Sequence, residues 1–233
     1  MRVIGALVSL IYRSLFLKGV SGAKAAHSLA RLAYVSAFVA AVYLRGDSVF
    51  LAAATAALMA FADSRLDWVG PATILSSIPA TWYALTAYLI SLAGVPPVVT
   101  LADAVIIFAR TLALSLTIMF IIYSIDPVSI SNALYALGAR RASTAPLLVW
   151  RVMPYGLSAM MESLAIGELK GEGVGKRIAP AVAAIIEHGR GIEASAYLRL
   201  SAPMVHGLPR RVDTFFTALF LLSAAALILS VIP

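Results

Sequence analysis

The distribution of charged residues is the feature that most constrains how this chain can fold. Five stretches contain no Asp, Glu, Lys or Arg: residues 32–44, 48–62, 68–102, 111–125 and 214–233. A helix that crosses a bilayer needs roughly 20 mostly apolar residues. The pattern therefore predicts an all-α, polytopic integral membrane protein.

The composition supports this interpretation. Of 233 residues, 61% are hydrophobic and 12% are charged, and the mean hydropathy is +0.94, whereas soluble domains are nearer half apolar and a quarter charged. The chain has no cysteine, which excludes disulfides, thiol chemistry and cysteine metal sites. The formal net charge of +7 is typical of a cytoplasmic membrane face and does not indicate nucleic-acid binding.

The longest charge-free stretch is interrupted by Gly94, Pro96 and Pro97, a combination typical of a turn. Dividing the stretch there gives five predicted spans, at about 27–44, 48–63, 70–93, 99–125 and 212–231. The first two are short. We therefore expect the residues that bound them, Arg31, Arg45 and Asp63, to lie at the membrane interface and to extend towards water.

The predicted spans divide the chain into three regions. Residues 1–125 form a membrane domain in which the apolar segment 1–16 is an interfacial helix ahead of four spans. Residues 126–211 form a cytoplasmic region, and 212–233 form the last span. Because 126–213 carries ten basic residues, we expect it in the cytoplasm of a cell-membrane protein, with the N-terminus inside and the C-terminus outside.

The cytoplasmic region has a helical pattern of its own, since none of its charge-free runs reaches the length of a span. Asp126 and Pro127 predict the start of a short helix and Gly138 its end. Longer amphipathic helices follow at about 147–169 and 176–200. Gly171, Gly173 and Gly175 interrupt the chain between them.

Each of the two longer helices ends at a basic residue, Lys170 in the first and Arg199 in the second. One interpretation is that these cations interact with the helix dipole, which stabilises a helix by roughly 0.3–1 kcal/mol. The other is that two rigid helices present basic tips to an acidic partner in the cytoplasm. The residues alone leave both interpretations open.

The order of these features resembles the T component of energy-coupling factor (ECF) transporters, the CbiQ/EcfT-like transmembrane subunit. The stretch from Ser124 to Pro127, followed by Gly138, is similar to the first coupling helix of that family. Arg151-Val152-Met153-Pro154 resembles its Arg-x-x-Pro signature, with Glu162 at a similar distance after it. The resemblance covers about 24–230 and is specific within 124–213.

The family carries an Ala-Arg-Gly-like motif at the end of each of two crossed coupling helices. The corresponding positions in this chain are Leu169-Lys170-Gly171 and Leu198-Arg199-Leu200, the second preceded by Glu193-Ala194-Ser195-Ala196. Lysine replaces arginine in the first motif, which keeps the charge but loses the bidentate fork of the guanidinium. The resemblance implies that both tips dock onto ATPase subunits and that Pro127, Gly138, Arg151, Pro154, Glu162 and Glu193 shape the coupling helices.

The resemblance also implies partners and a role. Such a subunit joins two cytoplasmic ATP-binding cassette proteins to a small membrane S component, which carries a vitamin or a transition-metal ion such as cobalt or nickel. It is not an enzyme, and it holds no metal or other cofactor itself. Consistent with this, the sequence has no Gly-x-x-x-x-Gly-Lys-Ser/Thr loop. Gly171, Gly173 and Gly175 precede Lys176, but no strand is predicted before them and no Ser or Thr directly follows the lysine.

Two alternatives belong to other functional classes. A conventional ABC permease would carry Glu-Ala-Ala followed by glycine, which Glu193-Ala194-Ser195 matches only at its start. An intramembrane enzyme would need catalytic groups, for which the candidates are His27, His188 and His206. No metalloprotease or Gly-x-Ser-x-Gly pattern accompanies these histidines.

Two charges lie within the fourth predicted span. Asp103 and Arg110 are seven residues apart and so share a helix face. Charges at membrane depth are functional candidates by default. Asp103 is expected near the outer interface, while Arg110 either packs against other helices or contacts the S component. Alanines in the first two spans allow close helix packing.

Overall fold

The computed structural model describes residues 6–12, 22–64, 66–139, 142–171 and 212–232, with 176, 179–180, 182–183, 186–187 and 189–191. No strand occurs among them, so the protein is all-α as predicted. The chain forms two compact units: residues 13–125 with 211–233, called the bundle unit here, and residues 1–12 with 126–210, called the second unit.

The bundle unit contains five helices. They are α1 (Ser28–Leu44), α2 (Ser48–Ser64), α3 (Leu66–Leu92), α4 (Leu101–Ser124) and, at the end of the chain, α7 (Thr214–Leu229). The bounds of all five helices lie within a few residues of the segments predicted as spans, while their crossing of a membrane stays a prediction. The largest difference is at α3, which begins at Leu66 instead of about residue 70 and includes Pro71 and Pro79.

The second unit contains α5 (Pro127–Ala136) and α6 (Ala145–Leu169), joined through a 3₁₀ turn at Ala142–Thr144. Residues 6–12 are helical and lie within the segment predicted as an interfacial helix. The described positions between 176 and 191 are also helical and lie within the helix predicted at 176–200.

Helix α2 is the centre of the bundle unit, because it contacts α1, α3, α4 and α7. Ala52, Ala56 and Ala60 repeat every fourth residue on its buried face and are completely buried. Small side chains let helix backbones approach closely, which confirms the packing role expected for Ala52 and Ala56, whereas Ala40 and Ala54, predicted with them, are exposed. Tyr34 of α1 donates a hydrogen bond to the Ala52 carbonyl oxygen across this contact.

The predicted turn between α3 and α4 is present. Gly94 has φ +79°, a conformation that glycine adopts without steric cost. The Ser91 hydroxyl accepts a hydrogen bond from the Val99 N–H at 2.7 Å, which closes the loop. Helix α4 then begins at a capping box in which Thr100 and Asp103 bond each other's backbone N–H groups.

Among the described helices, α4 is both long enough and apolar enough to cross a membrane, judged by its length and composition only. Helices α1, α2 and α7 are apolar but have 16 or 17 residues.

Candidate functional site

The start of α5 follows the sequence prediction. The Asp126 carboxylate accepts hydrogen bonds from the backbone N–H groups of Val128 and Ser129 at 3.0 and 3.2 Å, and Pro127 occupies the first helical position. The helix ends at Ala136, with Leu137 as its C-cap residue, and Gly138 follows at φ +83°. Pro127 and Gly138 thus set the two ends of this short helix, as their patterns predicted.

Helix α6 contains the residues of the predicted Arg-x-x-Pro signature. Arg151, Pro154 and Glu162 all lie on it, and Glu162 is exposed. The helix stops at Leu169, and Gly171 follows with φ +69°. That left-handed glycine explains why the helix ends here.

The tip of α6 is open to solvent. Leu169 is 89% exposed, and Lys170 and Gly171 are also exposed. The predicted first motif therefore occupies an accessible helix end. The second predicted motif (Leu198, Arg199 and Leu200) and Glu193 lie outside the described residues.

Much of the apolar surface of α6 is uncovered within the described part of the chain. Large side chains that are 37–89% exposed lie along its whole length: Leu147, Val149, Met153, Tyr155, Ile166 and Leu169. Leu164 is the only large apolar side chain of this helix among the buried core residues. An apolar helix surface of this kind is typical of contact with a partner or with lipid.

A group of buried polar side chains lies in the bundle unit, where the sequence analysis did not place a site. Lys24, Arg31, Asp63 and Tyr123, called the polar cluster here, are all at most 9% exposed. Arg31 and Asp63 are therefore buried, which corrects the expectation that they extend from the interface towards water.

Hydrogen bonds and a cation–π contact connect the polar cluster. The Tyr123 hydroxyl donates to the Asp63 carboxylate at 2.5 Å, and the Lys24 ammonium lies 4.7 Å from the centroid of the Tyr123 ring. The Arg31 guanidinium donates to the carbonyl oxygen of Ser124 at 2.5 Å. Opposite charges and charged hydrogen bonds offset part of the cost of burying these groups.

Gly22 completes this end of the bundle unit. It has φ +62°, and a Cβ atom placed on it would lie 1.7 Å from Oδ1 of Asp63. Only glycine fits this position without displacing the carboxylate. The 3₁₀ turn Gly22–Ala25 begins there and contains Lys24.

Aromatic rings pack next to the polar cluster. Trp68 lies 5.5 Å from the Tyr123 ring and 5.7 Å from Phe120, centroid to centroid. Phe120 also stacks on Phe220 of α7 at 5.9 Å. These rings fix the last two turns of α4 against α3 and α7.

The two charges of the fourth predicted span have different surroundings. Asp103 is held in the capping box with Thr100, at the beginning of α4. Arg110 forms an ion pair with Asp47, which lies between α1 and α2, at 2.6 Å. The two side chains are 51% and 75% exposed. Arg110 thus pairs with a residue of the α1–α2 loop at an exposed position, and its contact with an S component stays a prediction.

The polar cluster left only a weak signal in the sequence. Arg31, Asp63 and Tyr123 lie at or next to the ends of charge-free stretches. The predicted topology brings those ends, and Lys24 ahead of the first span, to the same side of the membrane. That argument could have placed Asp63 near Tyr123, but not their hydrogen bond. Among the described residues, no group of His, Asp and Glu side chains could hold a metal ion.

No family model, curated protein or solved structure matches this chain.

Proposed function

We propose that the bundle unit is embedded in a membrane and that its five helices all cross it. Large apolar side chains face outwards from every one of them; Leu32, Leu58, Trp82, Val105 and Leu222 are 61–73% exposed. Soluble proteins rarely expose continuous apolar surface on this scale. A bundle of helices also satisfies its backbone hydrogen bonds internally, as a lipid environment requires.

Within that membrane protein, we propose the role of an ECF-type T component. The observation that carries this proposal is the order of elements after α4. A short helix with Asp-Pro at its start and Leu-Gly at its end precedes α6, which contains the Arg-x-x-Pro signature and ends at an exposed Leu169-Lys170-Gly171 tip. The sequence resemblance rests on the same segments.

In this role the chain is a non-catalytic coupling subunit. Its helix tips bind two cytoplasmic ATP-binding cassette proteins, and its membrane helices contact an S component that carries a vitamin or transition-metal ion. Closure of the ATPase pair on ATP displaces the tips. The coupling helices pass that displacement to the membrane helices, and the S component reorients to release its substrate.

The proposal is tested by the composition of the native complex. The tagged full chain is purified in mild detergent from the cells that produce it, and its partners are identified by mass spectrometry. We expect two proteins with nucleotide-binding motifs and a small membrane protein, each in stoichiometric amount, and ATP hydrolysis by the complex. A chain that purifies without an ATPase, or that hydrolyses ATP by itself, would contradict the proposal.

A further inference from the structure

We propose that the polar cluster is an anchor that holds the end of α4, so that motion of the coupling helices moves α1, α2 and α4 together. The inference rests on the proposed function and names the positioning residues through which coupling enters the membrane helices. Its basis is the set of contacts that converge on Tyr123 and Ser124, the last two residues of α4.

The first contact satisfies the end of the helix itself. The last carbonyl groups of an α-helix have no partner within it, and the Ser124 carbonyl is bonded by Arg31 of α1 at 2.5 Å. Ser124 and Arg31 are 4% and 8% exposed. A cation at this end of α4 also interacts favourably with the helix dipole. The last turn of α4 is therefore fastened to α1.

The second contact fastens the same turn to α2. Tyr123 is completely buried, and its hydroxyl donates to Asp63 near the end of α2. Gly22 packs so closely against this carboxylate that no side chain fits between them. Lys24 covers the Tyr123 ring. Three separate parts of the chain therefore hold one helical turn.

The anchored turn lies at the point where the chain leaves the bundle unit. Only Ile125 separates Ser124 from Asp126, the N-cap residue of α5, and Pro127 follows with a restricted backbone. Such a short connection has little slack, so a displacement of α5 acts directly on Ser124. Without the anchor, that displacement would pull the end of α4 away from α1 and α2 and would go no further.

The test compares Tyr123→Phe with Tyr34→Phe. Both tyrosines are completely buried and both hydroxyls are hydrogen-bonded, but Tyr34 bonds within the α1–α2 contact. Each substitution removes one hydroxyl and keeps the ring. The chain has no cysteine, so Phe61→Cys and Ile122→Cys, exposed positions on α2 and α4, allow spin labels to be attached at these two sites alone.

The distance between the labels is measured by pulsed electron paramagnetic resonance spectroscopy in lipid nanodiscs, first on the full chain alone. We expect a single narrow distance peak for the parent chain and for Tyr34→Phe. For Tyr123→Phe we expect that peak to broaden, because the last turn of α4 is then no longer hydrogen-bonded to α2. Equal distributions for the two tyrosine variants, whether narrow or broad, would overturn the anchor.

The second measurement uses the complex with its ATPases, trapped with ATP and vanadate. The Tyr123→Phe complex should keep its ATPases and hydrolyse ATP, and trapping should broaden its distribution of label distances further. The Tyr34→Phe complex should keep the narrow peak. If ATPases bind neither the parent chain nor the variants, the proposed function fails, and the measurement on the chain alone still decides the anchor. If the trapped Tyr123→Phe complex shows the parent distribution, the anchor fails and the proposed function stands.

Discussion

The guanidinium of Arg31 caps the end of α4 by donating to the Ser124 carbonyl oxygen across 93 positions of sequence. At the other end of α1, Arg45 donates in the same way to the carbonyl oxygen of Ser230, just after α7, at 2.8 Å. Each arginine serves a helix end that lacks its own partners. The first of these contacts is buried and the second is exposed.

This pair of contacts gives a matched prediction. Arg31→Ala should lower the stability of the protein by about 1.5–3 kcal/mol, because a buried carbonyl then loses a charged donor. Arg45→Ala should cost less than about 1 kcal/mol, because water can replace an exposed donor. Thermal unfolding in detergent, followed by tryptophan fluorescence, measures both. Equal losses for the two variants would contradict the assignment of the Arg31 contact as buried.

A second prediction concerns Gly22. Gly22→Ala should be strongly destabilising, since the new Cβ would overlap Oδ1 of Asp63 and the residue has φ +62°. Gly94→Ala is the matched control. Gly94 also has a positive φ, but no atom lies within 4 Å of its Cβ position, so the control should lose only the roughly 1–2 kcal/mol of a left-handed backbone. Protein yield and thermal unfolding are the measurements.

A double variant separates the overlap from the backbone conformation. Asp63→Ala removes the atoms that the new Cβ would meet, so Gly22→Ala should cost less in that background than in the parent chain. If its cost is unchanged by the removal of the carboxylate, the destabilisation comes from the backbone conformation alone.

The elements of the fold were predictable because local sequence determines where these helices begin and end. Asp126-Pro127 and Gly138 determine the two ends of α5 through contacts within one or two helical turns. Gly94 acts just as locally in the loop between α3 and α4. The polar cluster was not predictable in the same way. Asp63 and Tyr123 are 60 residues apart. The position of a charged residue beside an apolar stretch does not indicate whether its side chain is solvated by water or bonded to another residue. Burial of Arg31 depends on packing among helices that the sequence does not specify.

The ion pair between Asp47 and Arg110 gives a prediction about the membrane. Arg110 lies nine residues after the start of α4, about 14 Å along the helix. If this part of α4 is in lipid, unpairing either charge is costly. In bicelles, Asp47→Asn and Arg110→Gln should therefore show a coupling energy above about 1 kcal/mol, the upper range for solvated pairs.

The control for this cycle is Asp103→Asn, which removes a carboxylate from the same helix without touching Arg110. Its effect should add to that of Arg110→Gln. A coupling energy near zero for Asp47 and Arg110 would indicate that the pair is solvated and that this part of α4 lies outside the lipid.

A fourth prediction concerns topology. A reporter inserted after Gly138, an exposed turn residue, should be cytoplasmic, because the region from 126 to 213 carries ten basic residues. Reporters after Gly94 and at Pro233 should both be outside, since an odd number of proposed spans separates each of them from that region. An external signal from Gly138 would rule out ATPase docking at the second unit.

The last prediction concerns the tip of α6. Lys170→Glu should release the ATPases or separate ATP hydrolysis from motion of the membrane helices, while the fold is kept. The exposed lysine contributes roughly 0.3–1 kcal/mol to its own helix through the dipole. Truncating a charge that is desolvated against a partner's carboxylate costs about 2–5 kcal/mol of binding free energy, and reversing that charge costs more.

Lys176→Glu, at an exposed helical position nearby, controls for net charge and should retain the ATPases. Arg199→Glu should act more strongly than Lys170→Glu, because a guanidinium can bind a carboxylate through two hydrogen bonds. The measurement is ATPase co-purification relative to the detergent-extracted yield of each variant. If the two tip variants retain as much ATPase as Lys176→Glu, these cations are solvated helix ends and do not dock a partner.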